Sequence, residues 1–387
     1  MMNKIIGFLK NEVVLCAAFV LAAVSMVAVP PNSRYAEYID FRVLALLFCL
    51  MLVVAGFKSV GVFEKLIGVL LRLVKNTRQL ALVLVIICFV LSMWITNDVA
   101  LITFVPFAVM IFRQTEKTKY LPLVVALQTV AANLGSMCTP VGNPQNLYLY
   151  TVSEMPIMDF VKLLLPYTIV SLLLLLGACF IVKKEPLTVN ERETDAEQSI
   201  SGQKQEQSVS GQKAHTKVFK TAIYMLLFAI SILTVLRVVH YLVMLAVVAA
   251  VVAAVEPRLF KEADYMLLIT FVAFFIFVGN VKQIDAVSAF LAKWVLGNEV
   301  MVSVLASQFI SNVPAAVLLS GFTNNFAGLL VGTNLGGLGT LIASMASLIS
   351  YKYIAKAPEC NTVGYIGIFT AVNAVFLAVL LGIAVII

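Results

Sequence analysis

Four short polar breaks interrupt the apolar stretches of this chain, and their side chains are the ones that could do chemistry. The first is Thr96-Asn97-Asp98, inside Leu80 to Phe112, and the second is Ser311-Asn312-Val313-Pro314, inside Glu299 to Phe322. The other two open on the same Asn-Leu-Gly triplet. One runs from Asn133 to Asn146 as Asn-Leu-Gly-Ser-Met-Cys-Thr-Pro-Val-Gly-Asn-Pro-Gln-Asn, and the other from Asn334 to Thr340. Aligning Asn133 with Asn334 also pairs Gly135 with Gly336 and Thr139 with Thr340, which makes an internal repeat.

Asp98 is the acidic residue well inside an apolar run. A charge at such a place costs about 2.5 to 3.5 kcal/mol on insertion scales and marks an ion or proton path. It could also cap a half-helix beginning at Val99, and the two roles are compatible. Asn, Ser and Thr oxygens suit a hard cation such as sodium, and glycine lets backbone carbonyls come close. Candidate cation-coupling residues are therefore Thr96, Asn97, Asp98, Asn133, Gly135, Thr139, Asn312, Asn334 and Gly336. Candidate substrate contacts are Asn97, Asn143, Asn146, Ser311, Asn312 and Thr340. No Lys or Arg lies near the four breaks, so an anion would rest on half-helix N-termini, backbone N–H groups and co-bound cations.

The elements that must position these residues are membrane helices. Of 387 residues 61% are apolar and 12% charged, and mean hydropathy is +1.01. A soluble domain carries about 25% charge and about 45 to 50% apolar residues, so this chain cannot hide its apolar surface in water. The net charge of +7 does not indicate nucleic acid as a partner, because the basic residues sit between apolar runs as topology signals. Six singly spaced cysteines and two histidines offer neither a zinc site nor a disulfide framework. HExxH, GxSxG and P-loop patterns are missing, which excludes an ATP-driven pump and leaves an enzyme without a nucleophile or acid pair. No cofactor is expected beyond a possible sodium ion.

The fold class that follows is an all-α polytopic membrane protein of two repeats, with nine full spans and two re-entrant hairpins. Residues 1–182 form the first repeat, with a hairpin at 79–112 and a broken span at 120–150. Residues 183–218 are a polar cytoplasmic linker that holds a short tandem repeat, Ser199 to Lys204 and Ser208 to Lys213. A connecting span at 219–239 leads to the second repeat, 240–387, with a hairpin at 299–322 and a broken span at 324–354. Amphipathic helices at Val60 to Val74 and Ile284 to Leu296 lie in the interface ahead of each hairpin. With the N-terminus in the cytoplasm, only Arg34, Arg42, Lys162, Arg237, Lys282 and Lys293 fall outside, as the positive-inside rule asks. The connecting span then inverts the second repeat relative to the first, an arrangement of secondary transporters.

The paired breaks, and above all the run from Asn133 to Asn146, resemble the ion transporter superfamily. That group takes in citrate-transporter-like proteins, arsenite permeases and divalent anion:sodium symporters; the closest flavour is the bacterial anion permeases. The resemblance covers nearly the whole chain outside the linker. It implies an elevator-type transporter, commonly a homodimer, with a scaffold and a transport domain that carries both hairpins. Carboxylate symporters of the group carry Ser-Asn-Thr at both hairpin tips, where this chain has Thr96-Asn97-Asp98 and Ser311-Asn312-Val313. The function expected is a secondary active transporter in the cell inner membrane that moves a small anion with sodium or protons. Arsenite or oxyanion efflux and sodium/proton antiport are the alternatives.

Overall fold

The computed structural model describes residues 13–71, 74–187 and 210–386. Lys4, Lys10, Arg72 and most of the linker's tandem repeat lie outside the described residues. Among those described there is no strand, only an isolated bridge between Asn76 and Pro186.

Seven helices are long and apolar enough to cross a bilayer: Phe41–Ser59, Thr77–Ile95, Asn97–Gln114, Ile157–Cys179, Thr216–Val235, Tyr265–Lys282 and Thr362–Ile386. An eighth arises if Asp285–Val295 and Glu299–Ile310, bent by 113°, count as one. Val13–Ala28, Tyr241–Val255 and Phe326–Gly336 are apolar but shorter. Polar breaks set those limits. Tyr241–Val255 stops between His240, whose ring accepts from Leu242 N–H, and the Glu256-Pro257 pair, since proline cannot continue a helix. The limbs on either side of Thr96, by contrast, have 19 and 18 residues, and each is long enough to span by itself.

The surface inverts the pattern of a soluble protein. Phe309, Val20, Leu173, Leu226 and Val243 are exposed, whereas Gln128, Asn146, Thr333 and Asn373 are fully buried. The first set suits a bilayer, and the second bonds inside the bundle, although Gln128 Oε1 and Asn373 Oδ1 are buried there without a hydrogen-bond partner among the described residues.

Two packing groups result. In the first, Val13–Ala28 lies on Tyr265–Lys282, and Phe41–Ser59 lies on Ser210–Val235 and Tyr241–Val255. In the second, Leu121–Ser136 is the central helix, packed by Thr77–Ile95, Asn97–Gln114, Ile157–Cys179 and Thr362–Ile386. Glu299–Ile310, Asn312–Leu319, Phe326–Gly336 and Pro144–Ser153 extend that group. The amphipathic helices Val62–Leu71 and Asp285–Val295 each touch both groups.

Candidate functional site

Both helix breaks turn on a single strained residue. Thr96 (φ 71) separates Thr77–Ile95 from Asn97–Gln114, and Ser311 (φ 73) separates Glu299–Ile310 from Asn312–Leu319. A left-handed, non-glycine residue is held only where its surroundings fix it. Here the fixing contacts recur in both halves. Asn97 N–H donates to Gly142 O at 3.0 Å and Asn312 N–H to Ala343 O at 2.9 Å. Thr139 Oγ1 donates to Met93 O, and Thr340 Oγ1 to Gln308 O at 3.1 Å. Gly135 meets Ser92 and Phe89 where Gly336 meets Ser307 and Ser303. Each helix-break-helix is thus clasped by the loop that follows its own Asn-Leu-Gly triplet.

The two triplets then bond across the halves. Asn133 Oδ1 accepts from Asn97 Nδ2 and from Ser344 Oγ, both at 3.0 Å, while its Nδ2 donates to Gly337 O at 3.3 Å. Asn334 Nδ2 donates to Asn146 Oδ1 at 2.6 Å and its Oδ1 accepts from Asn143 Nδ2 at 3.2 Å. Asn143 also caps Pro144–Ser153 by accepting from Asn146 N–H at 2.9 Å and donates to Ser136 Oγ. Asn97 with Asn133, and Asn143 with Asn146 and Asn334, are thus two buried amide sets in the second group, joined into one network by Ser136, whose Oγ accepts from Asn143 and donates to Asn133 O. Asn312, buried beside it, bonds only Ser311 and the backbone of Ala343 among the hydrogen bonds described. Gly135 and Gly336 serve close packing, Thr139 holds the first break, and Thr340 is exposed.

A cavity of about 240 Å³ opens on the first break and is walled by Phe41–Ser59. Thr96, Asp98 and Asn143 face it, and so do Lys58, Glu262 and Asp264, which sequence reasoning did not single out. Sequence alone places no Lys or Arg near the breaks, but Lys58, in the last turn of its helix, lines the cavity on which the first break opens. Asp98 does not cap the helix, which starts at Asn97 with Thr96 as the flanking residue. Its Oδ1 is instead buried with no hydrogen-bond partner. Asp264 caps Tyr265–Lys282 through Leu267 N–H and lines both this cavity and a smaller one, about 30 Å³, beside Ser311 and Val313. With three carboxylates against one ammonium, the walls favour positive charge.

Residues 5–327 match the family described as citrate transporter, CitMHS. The chain belongs to that family, within the ion transporter superfamily. An uncharacterized transporter of Methanocaldococcus jannaschii is 28% identical over 81% of this chain and 81% of its own length. Inner membrane protein YbiR of Escherichia coli is 29% identical over 81% of this chain and 80% of its own. The silicon efflux transporter of Oryza sativa is 31% identical, over 39% of this chain and 31% of its own. The CitMHS family member described here is thus a multi-span membrane transporter, and its family is one of transporters, which are not enzymes.

The close approach at Gly135 gives a stability prediction for this citrate transporter family chain. A Cβ there would stand 2.1 Å from Phe89 O, a backbone atom that cannot move aside. Gly135→Ala is expected to cost about 1 to 3 kcal/mol by overpacking. Gly177→Ala, where nothing lies within 4 Å, is expected to hold or slightly raise stability, since alanine favours helix by about 1 kcal/mol. Thermal midpoints of the two purified variants check the contrast; equal midpoints would contradict it.

Proposed function

We propose that the chain is a secondary active transporter of the inner membrane that moves a small anion together with sodium or protons. The observation that carries this reading is Asp98: a buried carboxylate oxygen without a hydrogen-bond partner, at a helix break, on a cavity whose walls carry excess negative charge. Such a group is held in a membrane protein where a cation or proton visits it. The cation would sit between Asp98 and the amide oxygens of the network, with Thr96, Asn97, Asn133, Thr139 and Asn334 around it. The anion would follow onto Asn143, Asn146, Ser311, Asn312 and the two half-helix N-termini. Against bare carboxylate walls an anion is repelled, so the cation binds first and the two cross together.

The two packing groups support an elevator mechanism. The group holding both breaks is the moving body, the other is the scaffold, and the two amphipathic helices are the arms between them. Matched contacts at both breaks support two repeats, inverted by the connecting span; a homodimer built on the scaffold completes the proposal. A second reading has one observation in its favour. The same negative walls suit a neutral hydroxylated solute, and one relative is named a silicon efflux transporter.

Ion occupancy is tested by thermal unfolding of purified protein in sodium against choline, at pH 6 and pH 8. A ligand at about 100 times its dissociation constant stabilises by roughly 2.7 kcal/mol. A rise in midpoint specific to sodium assigns sodium, and a midpoint that follows pH in the wild type but not in Asp98→Asn assigns protons. Midpoints independent of both ions would overturn the coupling.

A further inference from the structure

Arg237 stands just past the last turn of Ser210–Val235 with φ 64, a left-handed conformation at a residue that is not glycine. Val238 N–H bonds Leu233 O at 2.9 Å and Arg237 N–H bonds Thr234 O at 3.0 Å, so the helix closes in a turn that ordinarily places glycine at this position. The side chain runs away from its own helix. Its Nη1 donates to Glu154 O at 2.8 Å, its Nη2 donates to Tyr150 O at 3.0 Å, and the guanidinium lies over the Tyr150 ring, 5.0 Å from the centroid. Both carbonyls belong to the C-terminal end of Pro144–Ser153, where Glu154 is itself a left-handed cap. The cation thus satisfies carbonyls that a helix end leaves free, at the negative pole of its dipole.

These contacts join the two packing groups, since Ser210–Val235 is in the first and Pro144–Ser153 in the second. Among the described residues, ion pairs and side-chain hydrogen bonds such as Asn280 with Ser25 and Glu256 with Lys220 in the first, and Glu185 with Lys119 and Glu359 with Arg113 in the second, stay within a group. A further link from Pro144–Ser153 is apolar, the Tyr148 ring against Phe271 and Phe275 of the first group. The opposite end of Pro144–Ser153 carries Asn143 and Asn146, the residues that hold Asn334. Ten helical residues make a stiff rod of about 15 Å. A displacement at its asparagine end is therefore felt at Tyr150 and Glu154.

We propose that Arg237 is a positioning residue for transport: it pins the far end of the site helix to the first group in this conformation and lets go of both carbonyls when the second group moves. This rests on the reading that the second group is the moving body. Arg237 is exposed, so its charge is solvated once released.

The test uses the full chain in lipid nanodiscs, with its native cysteines replaced and spin labels at Met158→Cys and Leu242→Cys, exposed positions in the second and first groups. Arg237→Gly suits the left-handed backbone and keeps the helix end, so loss of folding is not the expected effect. It is expected to raise the minor distance population about fivefold, as the loss of charge-assisted hydrogen bonds implies. Arg237→Lys, a point charge without the planar fork, restores the wild-type distribution only in part. An unchanged distribution in Arg237→Gly, while Asp98→Asn or a change of ion still shifts it, rejects the role of Arg237 and leaves the moving body standing. A distance that no variant and no ion alters rejects the moving body, and the proposal with it.

Discussion

Asp98→Asn is expected to lower gradient-driven flux by roughly 100-fold or more while leaving the bundle folded. Removing one partner of a desolvated charge pair costs about 2 to 5 kcal/mol, and each 1.4 kcal/mol is about tenfold. Asparagine fills the same space beside Thr96 and Asn143, but it neither binds a proton nor carries the charge that a cation needs. Stability should move the other way. The Oδ1 of Asp98 has no partner to compensate its burial, so without a coupling ion the neutral amide is at least as well accommodated as the carboxylate. Flux into proteoliposomes and thermal midpoints, measured on the same preparations, check the pair of effects. A variant that transports like wild type would remove Asp98 from the coupling path.

Asn334→Leu is expected to give the largest loss of stability. Leucine keeps the branched shape, though it is larger, and leaves buried Asn146 Oδ1 without its donor; Asn143 Nδ2 loses its Asn334 acceptor and keeps only Ser136 Oγ, and Leu330 O loses a side-chain donor. Orphaning Asn146 Oδ1 costs about 1 to 3 kcal/mol and the lost bond of Asn143 Nδ2 about 1 kcal/mol more, so a total of about 2 to 4 kcal/mol follows. The loss should also unseat Pro144–Ser153, whose cap is Asn143. Thr340→Ala, at an exposed residue that gives up one bond to Gln308 O, should cost no more than about 1 kcal/mol. Denaturation in detergent separates the two; comparable midpoints would mean that the amide network does not hold the halves together.

Much of this site is legible in the sequence because each break is a polar interruption of an apolar run. Thr96-Asn97-Asp98 and Ser311-Asn312 stand out on that ground, and the Asn-Leu-Gly repeat identifies the loops that clasp them. What bonds to what is not legible: that Asn133 reaches Ser344 while Asn334 reaches Asn143 and Asn146 depends on the two triplets meeting in space. Lys58, Glu262 and Asp264 sit at the ends of spans, where charges are ordinary, and only packing carries them to the cavity. Gln308, which bonds Gly336 O, Leu338 O and Thr340 N–H, reads in sequence as one polar residue on an apolar helix. Span number is less legible. Apolar runs give the segments, but Tyr241–Val255 and Phe326–Gly336 end where a cap or a glycine stops them, short of a full crossing.

Coupled transport is tested most directly by flux into proteoliposomes across a panel of citrate, arsenite, phosphate and silicic acid, with sodium and proton gradients imposed separately. One solute should accumulate above its external concentration under one of the two gradients. The accumulation should collapse when an ionophore dissipates that gradient and should be lost in Asp98→Asn. Solute that merely equilibrates, at a rate indifferent to either gradient and unchanged in Asp98→Asn, would contradict coupled transport and describe a channel.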